Sequence, residues 1–432
     1  MKKINVGLIG AGTIGSGLVD VFNENRELIL RRTGIDFILK GVCDNDEGRL
    51  RDISGADGLK KTVKADDILD ADDIDIVVEL IGGVDPAKDF IMKALGNRKH
   101  VVTANKALLS HHWKEIFKIA RENGLYIGFE ASVGGGIPII KTICESFVAN
   151  RFEAINGILN GTTNFILTMM SDENCPFESA LKIAQEKGIA ESNPELDISG
   201  KDSAHKLAIL AMMGFGVEVA MEDIFTEGIE NISPIDITYA SGWGYNIKLL
   251  AIAKKSSEGI QLSVYPALVP VCNLLANVKG EDNAILLRGN FVGESLLYGK
   301  GAGKRPTASA VMSDIVEIGT FMSAGNRSEA LGDYLYADNT LGIMAMERVN
   351  MPYYLRFSVI DQTGVLAGIS NILSRHNISI ATMSQEERKE GESVPVIMLT
   401  HNANEGEMKK AISEIDKMDF VADKTVMIRI GG

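Results

Sequence analysis

The sequence predicts an α/β protein with three folded regions. A parallel, dinucleotide-binding sheet of the Rossmann type is predicted for residues 1–133 together with about 301–330. An α+β domain is predicted for residues 134–300, and a ferredoxin-like βαββαβ unit for residues 353–432 after a linker at 331–352. Three observations lead to this prediction: a glycine pattern between an apolar strand and a helix, a change of pattern after the first region, and the order of apolar segments near the C-terminus.

Composition excludes several classes of function. Hydrophobic residues make up 45% of the 432-residue chain and charged residues 24%, which is typical of a soluble globular protein with a large core. The net charge of −14 argues against a nucleic-acid partner, which needs clustered basic residues. We expect no membrane segment, because no apolar run approaches ~18 residues. The cysteines lack metal-site spacing and predict reduced thiols in a cytoplasmic protein: Cys43, Cys144, Cys175 and Cys272.

The first region opens with an apolar strand at residues 4–9, a G-x-G-x-x-G turn and a helix over about 14–30. In this setting the first glycine permits the tight turn, the second lets the backbone approach a pyrophosphate, and the third lets helix and strand pack closely. The N–H groups at the helix start then face the phosphates. The predicted cofactor contacts in this turn are Gly10, Gly12, Thr13, Ile14 and Gly15.

Polar residues follow the next predicted strands. Asp44 ends a strand at residues 37–43, where a carboxylate can accept hydrogen bonds from both ribose hydroxyls and so favours NAD. No arginine follows immediately to neutralise a 2′-phosphate, since Arg49 and Arg51 come several residues later. Asp44 can alternatively cap a local turn. Lys106 follows a strand at residues 100–104, where it can reach the cofactor crevice or be a solvated lysine at a helix start.

A strand at 125–130 leads into Glu130 and a glycine-rich turn that ends at Pro138. Such a turn can present several backbone carbonyls to a hard cation, and a single carboxylate favours a monovalent ion. A hinge between domains is the alternative. Beyond it the pattern becomes α+β, with predicted strands at 155–159, 263–269 and 284–289 and helices at 160–170, 178–187 and 200–213. A helix at 308–322 is predicted to return to the first region.

Residues 188–210 combine a polar, turn-rich lead with the start of an apolar-periodic helix. Asp202 and Lys206 stand four residues apart and share one helix face. Such a group can bind a small zwitterion and move a proton. Two structural alternatives exist: Ser199 and Asp202 can form a capping box, and Asp202 and Lys206 can form a surface ion pair. The candidate substrate and catalytic residues of this stretch are Glu191, Asp197, Asp202 and Lys206.

The C-terminal residues alternate in the order βαββαβ. Strands are predicted at 353–360, 378–383, 394–400 and 424–430, helices at 365–376 and 405–415, and a charged hairpin turn at 386–392.

Taken together, these motifs resemble those of monofunctional homoserine dehydrogenases that carry a C-terminal ACT domain. The resemblance extends along the whole chain, and residues 188–206 carry its most specific motif. The other matching motifs are Gly10–Gly15, Thr103–Lys106, Glu130–Pro138, Asn160–Asn164 and Gly301–Ser309. Asn193 departs from the pattern, because many relatives carry Asp there.

The resemblance implies the reversible NAD(P)-dependent interconversion of L-homoserine and L-aspartate 4-semialdehyde, in threonine and methionine synthesis. By match to the family motif, Lys206 donates and accepts the proton and Lys106 orients the substrate. Glu191 and Asp202 bind the substrate with support from Asp197. The implied cofactor contacts also include Thr103, Lys106 and Gly303, and the implied Na⁺ or K⁺ site comprises Glu130, Val133, Gly135 and Ile137.

The family also implies a role for each region. Residues 134–300 form the substrate-binding catalytic and dimerisation domain, and the ACT domain implies a homodimer or homotetramer with a regulatory site, for which threonine is the favoured effector. Assembly alone is the alternative role of that domain. For the whole chain, a catalytically silent amino-acid sensor and a dehydrogenase for another small amino acid are the alternatives.

Overall fold

The computed structural model describes residues 2–54, 58–324, 342–385 and 393–431. The predicted turn at 386–392 and much of the predicted linker lie outside these residues. The chain divides into two compact units. The first comprises Met1–Phe152, His205–Met221 and Asn283–Thr340, and the second comprises Glu153–Ala204, Glu222–Asp282 and Leu341–Gly432.

The elements alternate along the chain. The strands are β1 (Lys2–Ile9), β2 (Ile35–Cys43), β3 (Lys60–Thr62), β4 (Ile76–Glu79), β5 (His100–Thr103), β6 (Ile127–Gly128), β7 (Phe152–Ile158), β8 (Phe225–Thr226), β9 (Tyr245–Lys255), β10 (Ile260–Pro270), β11 (Asp282–Gly289), β12 (Gly293–Lys300), β13 (Asn350–Met351), β14 (Tyr353–Ile360), β15 (Ile380–Gln385), β16 (Ser393–Thr400), β17 (Ala403–Asn404) and β18 (Val421–Ile430). The helices are α1 (Thr13–Thr33), α2 (Glu47–Asp52), α3 (Asp66–Leu69), α4 (Ala87–Gly96), α5 (Lys106–Glu122), α6 (Ile139–Lys141), α7 (Gly161–Glu173), α8 (Phe177–Glu186), α9 (Glu195–Ile198), α10 (Lys201–Phe215), α11 (Pro234–Gly242), α12 (Lys304–Ser323), α13 (Val365–Arg375) and α14 (Glu405–Ile415).

The first unit contains a parallel sheet with the strand order β3-β2-β1-β4-β5-β6. Its inner strands are buried on both faces, as their continuous apolar runs predict. The order reverses between β1 and β4, and in such sheets a crevice opens at the carboxyl ends of the strands at that point. The predicted dinucleotide-binding fold is therefore confirmed.

The glycine turn after β1 meets the steric demands predicted for it. Gly10 has φ 102°, and a Cβ there would lie 2.7 Å from the Leu80 carbonyl carbon. A Cβ on Gly15 would lie 1.9 Å from the Gly10 carbonyl oxygen, so helix and strand can approach only through a glycine. Helix α12 packs against α1, where the Lys304 carbonyl closes on Gly17. This packing is what the predicted return of the 308–322 helix to the first region requires.

The second unit is built on a mixed sheet with the order β7-β9-β10-β18-β14-β16-β15. Along the chain the main C-terminal elements are β14, α13, β15, β16, α14 and β18, so the predicted βαββαβ order is confirmed. In the sheet these strands lie in the order β18-β14-β16-β15. Strand β18 also pairs in parallel with β10, with Arg429 opposite Ala267. The strands of the C-terminal βαββαβ region therefore continue the sheet that β7, β9 and β10 form in the second unit.

Several local features differ from the prediction. Helix α11 and strand β9 were not predicted, although β9 carries an apolar run at residues 249–253. The strand predicted at 125–130 shortens to β6, because Glu130–Ser132 forms a 3₁₀ turn. Strand β15 begins at Ile380 rather than at residue 378. Within the described part of the chain, no helix combines the length and apolar character needed to cross a membrane.

Candidate active site

A crevice at the carboxyl ends of β1, β2 and β4 provides space for a dinucleotide. One cavity of about 570 Å³ is lined by Gly10, Asp44 and Gly82 among others. A second of about 420 Å³ is lined by Thr13 and Lys304, and both cavities include Gly12. A Cβ built on Gly12 would meet nothing within 4 Å, so this face of the turn is open to a phosphate. The residues present fit a dinucleotide at the start of α1.

The helix starts around this crevice hold the other residues predicted in it. Ile14 is in the first turn of α1 and packs against the hydrophobic core cluster that β1, α1 and α12 share. Gly303 caps the start of α12 with φ 116°, a backbone conformation that favours glycine, directly before the pocket residue Lys304. Gly303 therefore allows the backbone conformation that places Lys304 at the second cavity.

Asp44 is buried and already makes two hydrogen bonds to the backbone. Its Oδ2 accepts from the Ala11 N–H at 2.7 Å and its Oδ1 from the Asp46 N–H at 2.9 Å. The carboxylate thus joins the glycine turn to its own local turn, so the structural alternative for Asp44 is present beside a position that lines the cofactor cavity. The Arg49 guanidinium lies 3.7 Å from Asp44 Oδ2 and lines both cavities. Arg49 received little weight in the sequence prediction, because the short helix α2 was not predicted. That helix brings the Arg49 side chain back towards the cavities.

The end of β5 is organised by a buried acid that sequence reasoning missed. Thr103 Oγ1 donates to Glu79 Oε2 at 2.7 Å and accepts from the Asn105 N–H at 3.0 Å. Burial raises the pKa of Glu79, although hydrogen bonds from Thr103 and the backbone oppose that shift. Asn105 caps α5 by accepting from the Leu108 N–H, and Lys106 is the first, half-buried residue of this helix. The start of α5, which carries Lys106, is therefore tightly fixed.

The glycine-rich turn after β6 surrounds a buried glutamate. Glu130 Oε1 and Oε2 accept from the N–H groups of Ile140 and Lys141, each at 2.8 Å. Its own N–H donates to Asp314 Oδ2 at 2.9 Å, and burial raises the pKa of Asp314 to about 8. The Glu130 carboxylate is thus occupied in fixing the next helical turn, and the turn would offer a cation its backbone carbonyls.

Within that turn the two apolar positions of the predicted cation site anchor the backbone. Val133 and Ile137 are buried, at 0% and 2% exposure. Gly135 has φ 55°, and a Cβ there would lie 2.5 Å from the Gly301 carbonyl oxygen. The turn therefore packs directly on the loop that leads into α12, and only glycine fits at that contact.

The substrate stretch brings Asp197 and Asp202 to one asparagine. The Asn160 amide nitrogen donates to Asp197 Oδ1 at 2.7 Å and to Asp202 Oδ2 at 2.9 Å. Glu191 is exposed on the loop before α9. The alternative of a capping box at Ser199 is not formed, because α10 begins at Lys201 and the buried Ser199 hydroxyl has no hydrogen-bond partner among the described residues.

Lys206 lies on α10 with its side chain buried, at 9% exposure. The preceding residue, His205, hydrogen-bonds through Nδ1 to Ser110 Oγ at 2.7 Å. Ser110 is on α5, one helical turn after Lys106. The first unit therefore links the two helices that carry the two predicted lysines. This histidine–serine pair was missed, since Ser110 lies outside the recognised motifs and its contact with His205 joins two distant segments.

A third cavity lies in the C-terminal unit. It measures about 260 Å³ and is lined by Asp361, Gly364, Gln385 and neighbouring residues. Gly364 adopts φ 93° and caps the start of α13, so the N–H groups of an 11-residue helix face this loop. A helix start of this kind favours a carboxylate or another anion.

Comparison with protein families gives three matches that follow one another along the chain. Residues 10–130 match the NAD-binding domain of homoserine dehydrogenase, residues 138–316 match homoserine dehydrogenase itself, and residues 353–420 match the ACT domain.

Curated relatives match over the full length. The homoserine dehydrogenase of Neisseria gonorrhoeae is 40% identical, over 100% of this chain and 99% of the relative. That of Helicobacter pylori is 41% identical, over 99% of both chains.

Solved structures agree with these matches. A homoserine dehydrogenase from Thiobacillus denitrificans matches with a TM-score of 0.93 and 42% identity, over 100% of this chain and 99% of that one. A hyperthermophilic archaeal homoserine dehydrogenase mutant in complex with NADPH matches with a TM-score of 0.63 and 28% identity, over 73% of this chain and 98% of that one. This chain therefore belongs to the homoserine dehydrogenase family and is an NAD(P)-dependent oxidoreductase acting on a CH–OH group, with a C-terminal ACT domain.

Proposed function

We propose that Lys206 is the proton donor and acceptor in the interconversion of homoserine and aspartate 4-semialdehyde. The observation that carries this proposal is the burial of its ammonium-bearing side chain on α10, beside the His205–Ser110 hydrogen bond that fixes the helix. During oxidation Lys206 accepts the substrate hydroxyl proton, and during reduction it returns a proton to the carbonyl oxygen. The nicotinamide cofactor, when bound, accepts or supplies the hydride.

Lys106 orients the substrate in this proposal. It opens α5, whose first turn is fixed by the Asn105 cap and by the Thr103–Glu79 hydrogen bond. A lysine placed by such a rigid turn presents its charge in a defined position, which is what substrate orientation requires. Thr103 contributes to cofactor binding by shaping this end of the sheet.

The acids of the substrate stretch complete the site. Asp202 is buried at 4% exposure and Asp197 is half-buried, whereas Glu191 is exposed. We assign Asp202 and Glu191 to substrate binding, with Glu191 on the ammonium group and Asp197 in support. A zwitterionic amino acid carries an ammonium group, and carboxylates are the groups that bind it.

For the cofactor we propose that NAD is preferred over NADP. Asp44 lines the larger cavity, where its carboxylate accepts hydrogen bonds from ribose hydroxyls and repels a 2′-phosphate. Arg49 opposes this preference, because its guanidinium lies 3.7 Å from the same carboxylate. The balance between these two side chains sets the selectivity.

We predict a higher kcat/KM with NAD than with NADP, and a shift towards NADP in Asp44→Asn. The shift is expected to reach about tenfold or more, because hydrogen bonds to charged groups contribute ~1.5–3 kcal/mol. Side-by-side steady-state kinetics with both cofactors measure it. Adding Arg49→Gln to the Asp44→Asn variant serves as the control and should remove the gain with NADP. A clear NADP preference of the unmodified enzyme would contradict the role given to Asp44.

We further propose a monovalent cation, Na⁺ or K⁺, at the turn after β6. Its ligands are the backbone carbonyl oxygens of four positions: Glu130, Val133, Gly135 and Ile137. The turn is held by the Glu130 carboxylate from one side and by the hydrogen bond from the Gly136 N–H to the Lys300 carbonyl from the other. A turn held in this way can offer several backbone carbonyls to a hard cation of low charge.

The proposed effector of the ACT domain is threonine. The start of α13 favours its carboxylate, and Asp361 can bind its ammonium group in the cavity of about 260 Å³. Inhibition requires that threonine bind one conformational state better than another.

The outer edge of β15 pairs with no described strand, which supports side-by-side assembly into a homodimer or homotetramer.

Asp361→Asn is expected to raise the threonine concentration for half-inhibition by about tenfold, since a charged hydrogen-bond partner of ~1.5–3 kcal/mol is lost. Activity without threonine should stay unchanged. The measurement is activity against threonine concentration, and the exposed Asp419→Asn on the same unit is the control. An unmodified enzyme that is indifferent to millimolar threonine would reduce this domain to an assembly element.

The region boundaries belong to this proposal as well. We assign residues 1–133 with about 301–330 to cofactor binding, 134–300 to substrate binding and dimerisation, 331–352 to the linker, and 353–432 to regulation. The described residues of that linker form hydrogen bonds with β10, for example from the Met344 N–H to the Ile260 carbonyl at 2.8 Å.

We also propose a cytoplasmic location, which the four free cysteines support.

A further inference from the structure

One side-chain amide joins two carboxylates of the substrate stretch. Asn160 precedes α7 and is buried, at 5% exposure. Its nitrogen donates one hydrogen bond to Asp197 and one to Asp202, at 2.7 and 2.9 Å. The three residues come from separate segments, with Asp197 and Asp202 lying 37 and 42 positions beyond Asn160 in the chain. The contact is therefore a tertiary one that fixes the carboxylates relative to each other.

The hydrogen bonds at the other end of the Asn160 amide identify which of its two atoms faces the carboxylates. Asn160 Oδ1 accepts from the Thr163 backbone N–H at 2.8 Å and from the Thr163 hydroxyl at 3.0 Å. A backbone N–H can only donate, so this end must be the oxygen and the other end must be the NH₂ group. The amide therefore has both donors on carboxylates and its acceptor on a helix start. No other neutral side chain of this size combines these roles.

We infer that Asn160 is a positioning residue for the dehydrogenase reaction. Its amide orients the carboxylates of Asp197 and Asp202 and stabilises their ionised forms. The inference rests on the proposed assignment of these two acids to the substrate. Two carboxylates held close together repel each other, and an N–H donor to each of them stabilises the ionised forms. Asn160 thus prepares a doubly negative surface before the ammonium and hydroxyl groups of the substrate arrive.

Two substitutions separate this role from helix capping. Asn160→Ser and Asn160→Asp both keep an oxygen that can accept from the Thr163 N–H, because serine and aspartate are good N-cap residues. Neither provides the NH₂ group. Asn160→Ser is neutral and short, whereas Asn160→Asp places a third carboxylate against the other two.

The expected result is a KM for homoserine raised by about tenfold or more in both variants, from the loss of hydrogen bonds to charged groups. The KM for the cofactor should not change, because none of the hydrogen-bond partners of Asn160 lines the cofactor cavities. Asn404→Asp is the matched control, since Asn404 caps α14 by accepting from the Glu407 N–H. It should leave the KM for homoserine unchanged.

The pH profile adds a readout that a purely structural role would not move. The third carboxylate in Asn160→Asp raises the apparent pKa values of the cluster, and protonation of that introduced carboxylate restores one O–H donor. The ratio of kcat/KM for Asn160→Asp to that of the unmodified enzyme should therefore rise as the pH is lowered. The same ratio for Asn160→Ser should stay low and flat.

Thermal unfolding of each variant checks that the fold is kept. If both Asn160 variants show the homoserine KM and pH profile of the unmodified enzyme, the inference is overturned. Asp202→Asn and Asp197→Asn distinguish this from a failure of the proposed site. If these variants raise the KM for homoserine while the Asn160 variants do not, only the positioning role fails. If neither acid affects it, the substrate assignment fails as well.

Discussion

Lys206→Ala is expected to lower kcat by at least about 10²-fold, because general acid–base groups contribute ~10²–10⁴-fold to rates. Lys206 is buried on α10 and directly follows His205, which is tied to α5 through Ser110. Removal of its amine therefore removes the proposed proton acceptor, while the His205–Ser110 hydrogen bond between α10 and α5 is kept. Steady-state kinetics with homoserine measure kcat, and binding of the cofactor should remain nearly intact.

Lys206→Arg should not rescue activity, since a guanidinium stays protonated at any working pH and cannot accept the hydroxyl proton. The matched control is Lys201→Ala on the same helix, whose exposed side chain lies 4.0 Å from Glu195. That exposed pair contributes little to stability and has no assigned chemical role. A Lys206→Ala enzyme with nearly normal kcat would show that another group transfers the proton.

Arg429→Met is expected to lower the free energy of unfolding by about 3–5 kcal/mol, because it leaves the buried Glu405 carboxylate without its guanidinium partner. Arg429 has 1% exposure and bonds to Glu405 at 2.6 Å and Glu227 at 2.8 Å. Its guanidinium also lies over the rings of Phe225 and Tyr265, at 4.6 and 4.8 Å. Burial alone would lower the pKa of Arg429, but the two carboxylates hold it above its ordinary value.

Denaturant titration and thermal scans measure this loss. Arg375→Ala is the control, because Arg375 is 66% exposed in its pair with Glu414 and should change stability by less than ~1 kcal/mol. Adding Glu405→Gln to Arg429→Met should recover part of the loss by removing the buried charge. Equal effects of Arg429→Met and Arg375→Ala would contradict the importance of the buried network.

Sequence patterns predicted those parts of the fold whose information is local. The strand–glycine–helix start of the chain can be read from consecutive residues, because Gly10 adopts φ 102° and Gly15 packs directly against the Gly10 carbonyl oxygen. The same holds for the βαββαβ order, where strand and helix periods alternate without interruption. Pairing between distant segments cannot be read this way, so the ladder between β10 and β18 was not foreseen.

The candidate site shows the same division. Asp44 was predicted from its position after β2, but the approach of Arg49 depends on the short helix α2. Asn160 belonged to a recognised motif, yet its hydrogen bonds to Asp197 and Asp202 depend on how three segments meet. Each missed contact joins residues that no single periodic segment contains.

The pairing of β18 with β10 has a consequence for shortened chains. Asp236 is fully buried and bonds to Arg356 of β14 at 2.7 Å, so it too depends on the C-terminal strands. A protein ending before residue 353 would leave this carboxylate without its arginine and uncover the edge of β10 at Ala267 and Leu268, where β18 pairs with it. Exposed apolar edge strands promote edge-to-edge association between molecules. Aggregation of such a truncated protein would therefore report a broken sheet, and would say nothing about regulation.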